Sequence, residues 1–137
     1  MPQRPPGPEG TGTLVLVVED NPLNLELIEA VLEREGYHVV SAGSGEEAEE
    51  WLGRLHPDLV LLDIGLPGMS GLELARRIKA DPRTADIPLV ALSAHALPED
   101  RAAALEAGCV DYLSKPVDTR ALPAQLARVL GRRPPES

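Results

Sequence analysis

The sequence predicts an α/β fold with a doubly wound parallel sheet, and three observations predict it. Short apolar runs of strand length alternate five times with longer segments of helical periodicity. The runs at 13–18, after Pro57 up to Asp63, and at 87–92 are apolar almost throughout, as strands buried on both faces of a parallel sheet must be. The connections between segments are short, and no internal repeat interrupts them.

The size suits this architecture. At 137 residues and 43% hydrophobic, the chain is long enough for one domain with a real core. With no Phe, one Trp and two Tyr, that core is built from Leu, Val, Ile and Ala, and a site that stacks flavin or single-stranded nucleic acid lacks its aromatic faces. The net charge of −9 repels phosphate backbones and anionic membranes, so neither direct nucleic-acid binding nor membrane association is expected. The single Cys109 cannot form an intramolecular disulfide and reads as a small buried residue, in keeping with a reducing cytoplasm. The N-terminal segment lacks the apolar core of a signal peptide, and no apolar stretch approaches the ~20 residues that span a bilayer. A cytoplasmic protein is the expectation.

Taken in order, residues 1–12 hold four Pro and three Gly and are expected to be a disordered tail. Residues 13–18, TLVLVV, form the first strand, ended by Glu19, Asp20, Asn21 and Pro22. From 23 to 35, Leu27, Ile28, Val31 and Leu32 fall on one side and Glu26, Glu29 and Glu33 on the other, predicting an amphipathic helix stopped by Gly36. Residues 37–42 make a second strand. Ser44 with Glu47 reads as a capping box before a helix carrying Ala48, Trp51, Leu52 and Leu55. The third strand ends on Asp63, the chain turns over 64–68, and Ser70 with Glu73 reads as a second capping box. The helix that follows shows Gly71, Leu74, Ala75 and Ile78 on one face.

Residues 87–92 give a fourth strand ending at Ser93. Pro98 opens an Ala-rich helix with acids in its first turn and a weak apolar stripe, expected to pack least firmly. Residues 110–113 form the fifth strand, before Ser114, Lys115 and Pro116. A last helix starts near Asp118 and turns Leu122, Leu126, Val129 and Leu130 inward, with Pro123 expected to delay or bend its start. Residues 13–131 are thus the expected domain and 132–137 a flexible tail.

In open α/β sheets, ligands gather at the carboxyl ends of the strands. Those ends here carry Glu19 and Asp20, Asp63, Ser93 and Lys115. Each has a plain structural reading: Asp20 or Asn21 as a helix cap, Ser93 as a turn residue, Lys115 as a solvated lysine. Helix caps do not require two acidic ends, a hydroxyl and a cation to converge. Three carboxylates together imply a hard divalent cation such as Mg²⁺. One of them can then act as a nucleophile toward a phosphoryl group, with Lys115 and Ser93 contacting its oxygens. The Lys115-Pro116 bond belongs to the class that tolerates the cis form.

Glu19-Asp20-Asn21, LLDIGLPGMSG, ALSAHA and DYLSKP, in this order and spacing between Leu14 and about Leu130, resemble the signature blocks of response-regulator receiver domains. The resemblance implies a flavodoxin-like fold with strand order 2-1-3-4-5 and Asp63 as the residue phosphorylated from a kinase phosphohistidine. It implies Mg²⁺, with Mn²⁺ as an alternative, held by Glu19, Asp20, Asp63 and the backbone carbonyl of Gly65. It also implies Ser93 and Tyr112 as a switch pair, although Tyr112 by itself reads equally as a core or strand-edge aromatic.

Two positions bear on phosphoryl lifetime: Gly65 offers no shielding side chain, and His95 sets an imidazole near the route for water. The partners implied are a sensor histidine kinase or a histidine phosphotransfer protein, with no downstream target legible. With no second domain after Leu130, the expectation is a stand-alone two-component response regulator acting through phosphorylation-dependent protein contacts. It is a phosphoacceptor rather than an enzyme in the usual sense. Alternatives are a phosphorelay shuttle or phosphate sink and, from a different class, an unphosphorylated binding module. Arg120 and Arg128 either pair with Glu99 or Glu106 across a phosphorylation-dependent homodimer or form a solvated face. A phosphohydrolase of the haloacid dehalogenase type would want a second acid where Gly65 stands.

Overall fold

The computed structural model describes residues 13–66, 68–94 and 97–131. The expectations for both tails and for His95 lie outside the described residues. Five strands, β1 (Leu14–Val18), β2 (His38–Ala42), β3 (Leu59–Asp63), β4 (Leu89–Ser93) and β5 (Asp111–Ser114), form one sheet in the order β2-β1-β3-β4-β5. All adjacent pairs are parallel. Helices α1 (Pro22–Arg34), α2 (Gly45–Leu52), α3 (Gly71–Ala80), α4 (Pro98–Glu106) and α5 (Leu122–Val129) connect or follow them.

Side chains alternate across the strands and so build two cores. Leu16, Val60, Leu62, Leu89 and Ala91 face α2, α3 and α4, where Ala48, Leu74, Ala75, Ile78 and Ala104 meet them. Val15, Val17, Leu59, Leu61, Val90 and Leu92 face α1 and α5, against Ile28, Val31, Leu32, Leu122 and Leu126. β1, β3 and β4 are buried along their whole length, as their unbroken apolar runs require. Cys109 joins the first core, and burial pushes its thiol up to about 11.

Several local readings change. Leu27 does not share the buried seam of Ile28, Val31 and Leu32; it stands 45% exposed beside Leu23, which is 77% exposed one turn earlier. The second helix ends at Leu52, so Leu55 lies beyond it. At its start Ser44 accepts from the Glu47 N–H, but the Glu47 carboxylate takes the Gly43 N–H, one residue outside the box. The last helix begins at Leu122, with Pro123 in its first turn, where a missing N–H costs nothing. Residues 118–121 make a separate turn in which the Asp118 carboxylate accepts the Arg120 N–H. In α4 only Ala104 is buried and the N-cap, Leu97, offers no side-chain acceptor.

The register brings the strand ends level. Val18 pairs with both Ala42 and Leu62, Asp63 with Leu92, and Ser93 with Ser114. The ladder runs one step further, through the Glu19 N–H to the Ala42 carbonyl, the Ile64 N–H to the Leu92 carbonyl and the Lys115 N–H to the Ser93 carbonyl. Glu19, Asp63, Ser93 and Lys115 therefore stand at one edge of the sheet.

Candidate phosphoacceptor and metal site

Asp63 closes the buried strand β3 and is itself 4% exposed. A buried carboxylate must find donors. Its Oδ1 accepts from the Gly65 N–H at 2.8 Å, inside the turn that leaves the strand, and its Oδ2 accepts from Lys115 Nζ at 2.7 Å. Lys115 follows β5 directly, and its peptide bond to Pro116 is cis.

Glu19, after β1, is 1% exposed. Its Oε2 accepts from the Asn21 N–H at 3.0 Å. Its Oε1 forms an ion pair with Lys115 Nζ at 2.9 Å. Burial raises the Glu19 carboxyl above its ordinary value; Lys115 and the Asn21 N–H offset this only in part, and the Asp63 charge adds to it. For Lys115, burial would lower the ammonium, but the contacts with Asp63 and Glu19 prevail and leave it raised.

Asp20 is exposed at the rim. The choice between Asp20 and Asn21 as the helix cap is resolved: the Asn21 side chain accepts from the N–H groups of Leu23 and Asn24. Asp20 is thus left to the acid cluster. One oxygen each from Glu19, Asp20 and Asp63 lies within 4.8 Å of the others.

The donor set fits a hard divalent ion. Three carboxylates face one ammonium, an excess of two formal charges, and all their donor atoms are oxygens. Ser93, 3% exposed, ends β4 on the α2–α4 side of the sheet. Tyr112, opposite Ala91 on the neighbouring strand, packs half-buried on that same side. Gly65 is exposed, two residues beyond Asp63.

The structure therefore brings Glu19, Asp20, Asp63 and Lys115 together, with Ser93 on the adjoining strand end. The outward pair Leu23 and Leu27 beside this edge escaped the sequence reading. Periodicity did not exclude the inward reading, since Leu27 lies four residues after Leu23 but also four before Val31 of the buried seam.

Residues 15–127 match the family described as response regulator receiver domain. The phosphate regulon transcriptional regulatory protein PhoB of Pseudomonas aeruginosa is 41% identical over 124 residues, 90% of this chain but 54% of that protein. The chain thus spans about half the length of that relative. The polar-differentiation response regulator DivK of Brucella ovis is 41% identical over 103 residues, 75% of this chain and 84% of its own. A putative response regulator from Chloroflexus aurantiacus superposes with a TM-score of 0.84 at 35% identity, covering 88% of this chain and 98% of that one. The receiver domain of the sensor histidine kinase PA1611 of P. aeruginosa, with a magnesium ion coordinated in its active-site cleft, gives 0.80 at 39% identity, over 87% and 98%. No helix among the described residues is long and apolar enough to cross a membrane. With this fold, this strand order and these acids at the strand ends, the chain belongs to the response-regulator receiver domain family.

Proposed function

We propose that this receiver takes a phosphoryl group onto Asp63 from the phosphohistidine of a sensor histidine kinase or a histidine phosphotransfer protein, and signals through the protein contacts that result. The observation that carries the reading is the Lys115 ammonium 2.7 Å from Asp63 Oδ2, beside three acid oxygens within 4.8 Å. In the transfer, an Asp63 oxygen bonds to phosphorus as the phosphorus–nitrogen bond breaks, and the donor imidazole leaves with that electron pair. Lys115 turns from the carboxylates to a phosphoryl oxygen as a point charge, and the Ser93 hydroxyl donates to another. Glu19, Asp20, Asp63 and the Gly65 carbonyl would hold Mg²⁺, or Mn²⁺ in its place. When bound, the ion neutralises charge on the transferred oxygens.

Phosphorylation adds about −1.5 to −2 charge beside Ser93 and Lys115, favouring the state in which those donors close in. Ser93 and Tyr112 share one side of adjacent strands, which suits a coupled hydroxyl and ring movement. Leu23 and Leu27, exposed at the start of α1 beside Asp20, suit a docking surface for the phosphohistidine donor. The readout surface is that of α4, β5 and α5, with Leu97, Leu105 and Val110 exposed on it. On that surface the exposed Glu99 and Glu106 suit pairing with Arg120 and Arg128 of a second copy. Exposed Gly65 leaves the phosphoryl group open to water, a lifetime that His95→Ala decay kinetics would apportion. The functional domain is residues 13–131, acting in the cytoplasm.

Intact-protein mass after incubation with acetyl phosphate and Mg²⁺ tests this. A single phosphoryl adduct is expected, absent in Asp63→Asn and in chelator. A folded protein that takes no adduct and does not respond to beryllofluoride would instead be an unphosphorylated binding module.

A further inference from the structure

The geometry points to Gly71 as a positioning residue for the phosphoacceptor, an inference that rests on the aspartyl phosphorylation proposed above. Two helices open on the same pattern, Ser44-Gly45-Glu46-Glu47 at α2 and Ser70-Gly71-Leu72-Glu73 at α3. In both, the serine is the N-cap and its Oγ accepts the N–H three residues on, at 3.1 Å and 3.2 Å. As sequence, the two glycines are equivalent.

In space they are not. A Cβ on Gly45 would meet the Met69 side chain, its sulfur 2.9 Å, Cβ 3.2 Å and Cγ 3.3 Å away; the unbranched thioether can swing aside, and the Cβ contact is only slightly tight. A Cβ on Gly71 would overlap the carbonyl oxygen of Asp63 and lie 2.5 Å from Ile64 Cα and 2.8 Å from the Asp63 carbonyl carbon. Those are main-chain atoms of the phosphoacceptor and of the first residue of its turn. No rotamer change relieves that contact.

The backbone conformation at position 71 does not itself oppose a side chain. Gly71 lies in the first turn of α3 and is not one of the positive-φ glycines, so an alanine there is otherwise a better helix former. The Gly71 N–H also reaches the Ile64 carbonyl at 3.4 Å, so the start of α3 is seated on the end of β3 with no side chain between them. A methyl group at 71 therefore displaces the segment 63–65. That segment carries the Asp63 carboxylate and the Gly65 N–H that fixes its Oδ1 at 2.8 Å. Misplacing a reacting group by about 1 Å costs on the order of 10²-fold in rate.

The test compares Gly71→Ala with Gly45→Ala in the full chain. Three quantities are read: the acetyl phosphate adduct rate by intact mass, Mn²⁺ affinity by electron paramagnetic resonance, and folding by circular dichroism. Gly71→Ala is expected to be folded, to form the adduct at least tenfold more slowly and to bind Mn²⁺ more weakly, while Gly45→Ala matches wild type in both. A glycine needed only for packing would lower the melting temperature yet leave rate and Mn²⁺ affinity unchanged in the folded protein, and that result overturns the assignment. If Gly71→Ala is unfolded in buffer, the assays are repeated in trimethylamine N-oxide, which favours compact states. A variant still unfolded there assigns Gly71 to folding alone and likewise overturns the inference. Wild-type protein that accepts no phosphoryl group sinks the proposed function instead. In that case the Mn²⁺ contrast between the two variants still decides whether Gly71 positions the carboxylate.

Discussion

Lys115 is one ammonium shared between two buried carboxylates, Glu19 and Asp63, with 17% of its own side chain exposed. Removing one partner of a buried ion pair leaves the other charge uncompensated, a loss of about 3–5 kcal/mol when burial is complete. Lys115→Ala should therefore destabilise the fold by somewhat less than that, and chemical denaturation in chelator measures it. Millimolar Mg²⁺ should recover part of the loss in the variant, because a cation again faces the acids. The sign with pH follows from the raised Lys115 value. Its stabilising contribution is whole at neutral pH and is lost only as pH rises through the folded pKa.

Helices α3 and α4 show how differently two elements of similar length are held. α3 buries Gly71, Leu74, Ala75 and Ile78, is capped by Ser70, and is tied at its far end by Lys79 Nζ, which donates to the Ala85 and Ile87 carbonyls. α4 buries Ala104 alone, and Leu97 at its N-cap is 52% exposed with no acceptor to offer. A serine at that position would accept one of the orphan N–H groups of the first turn. Leu97→Ser is expected to raise stability by about 1 kcal/mol in urea denaturation, and a neutral or negative result would show that Leu97 packs better than its exposure suggests. The same looseness makes α4 the element that the proposed switch can move at least cost.

At the scale of the whole molecule, a sheet buried on both faces makes each central strand residue a contact between layers. Leu62 is fully buried between the sheet and its α2–α4 layer, one residue before Asp63. Leu62→Ala should cost about 2–5 kcal/mol, read as a lower urea midpoint. A core dominated by Leu, Val, Ile and Ala, without a single Phe and with Tyr37 as its buried aromatic among the described residues, has many modest contacts rather than a few large ones. The site depends on this packing, because its acids, hydroxyl and lysine come from four different strand ends that only the sheet holds level.

The sequence by itself determined the alternation of five strands and five helices, which strands are fully buried, and which polar residues end them. Those features rest on local periodicity and on turn chemistry within a few residues. It also carried the signature blocks on which the family resemblance rests. Only the tertiary structure decided that Asn21 rather than Asp20 caps α1, that Lys115 bridges Glu19 and Asp63, and that Leu27 faces outward. It alone separated Gly71 from Gly45, two glycines in the same local pattern that meet different neighbours. The Asn21 cap is a choice between two adjacent side chains for the same local N–H groups, and the physical reason is common to the other three. Each is settled by which of several locally equivalent groups another segment, or open solvent, meets after packing, and residues far apart in the chain choose that neighbour.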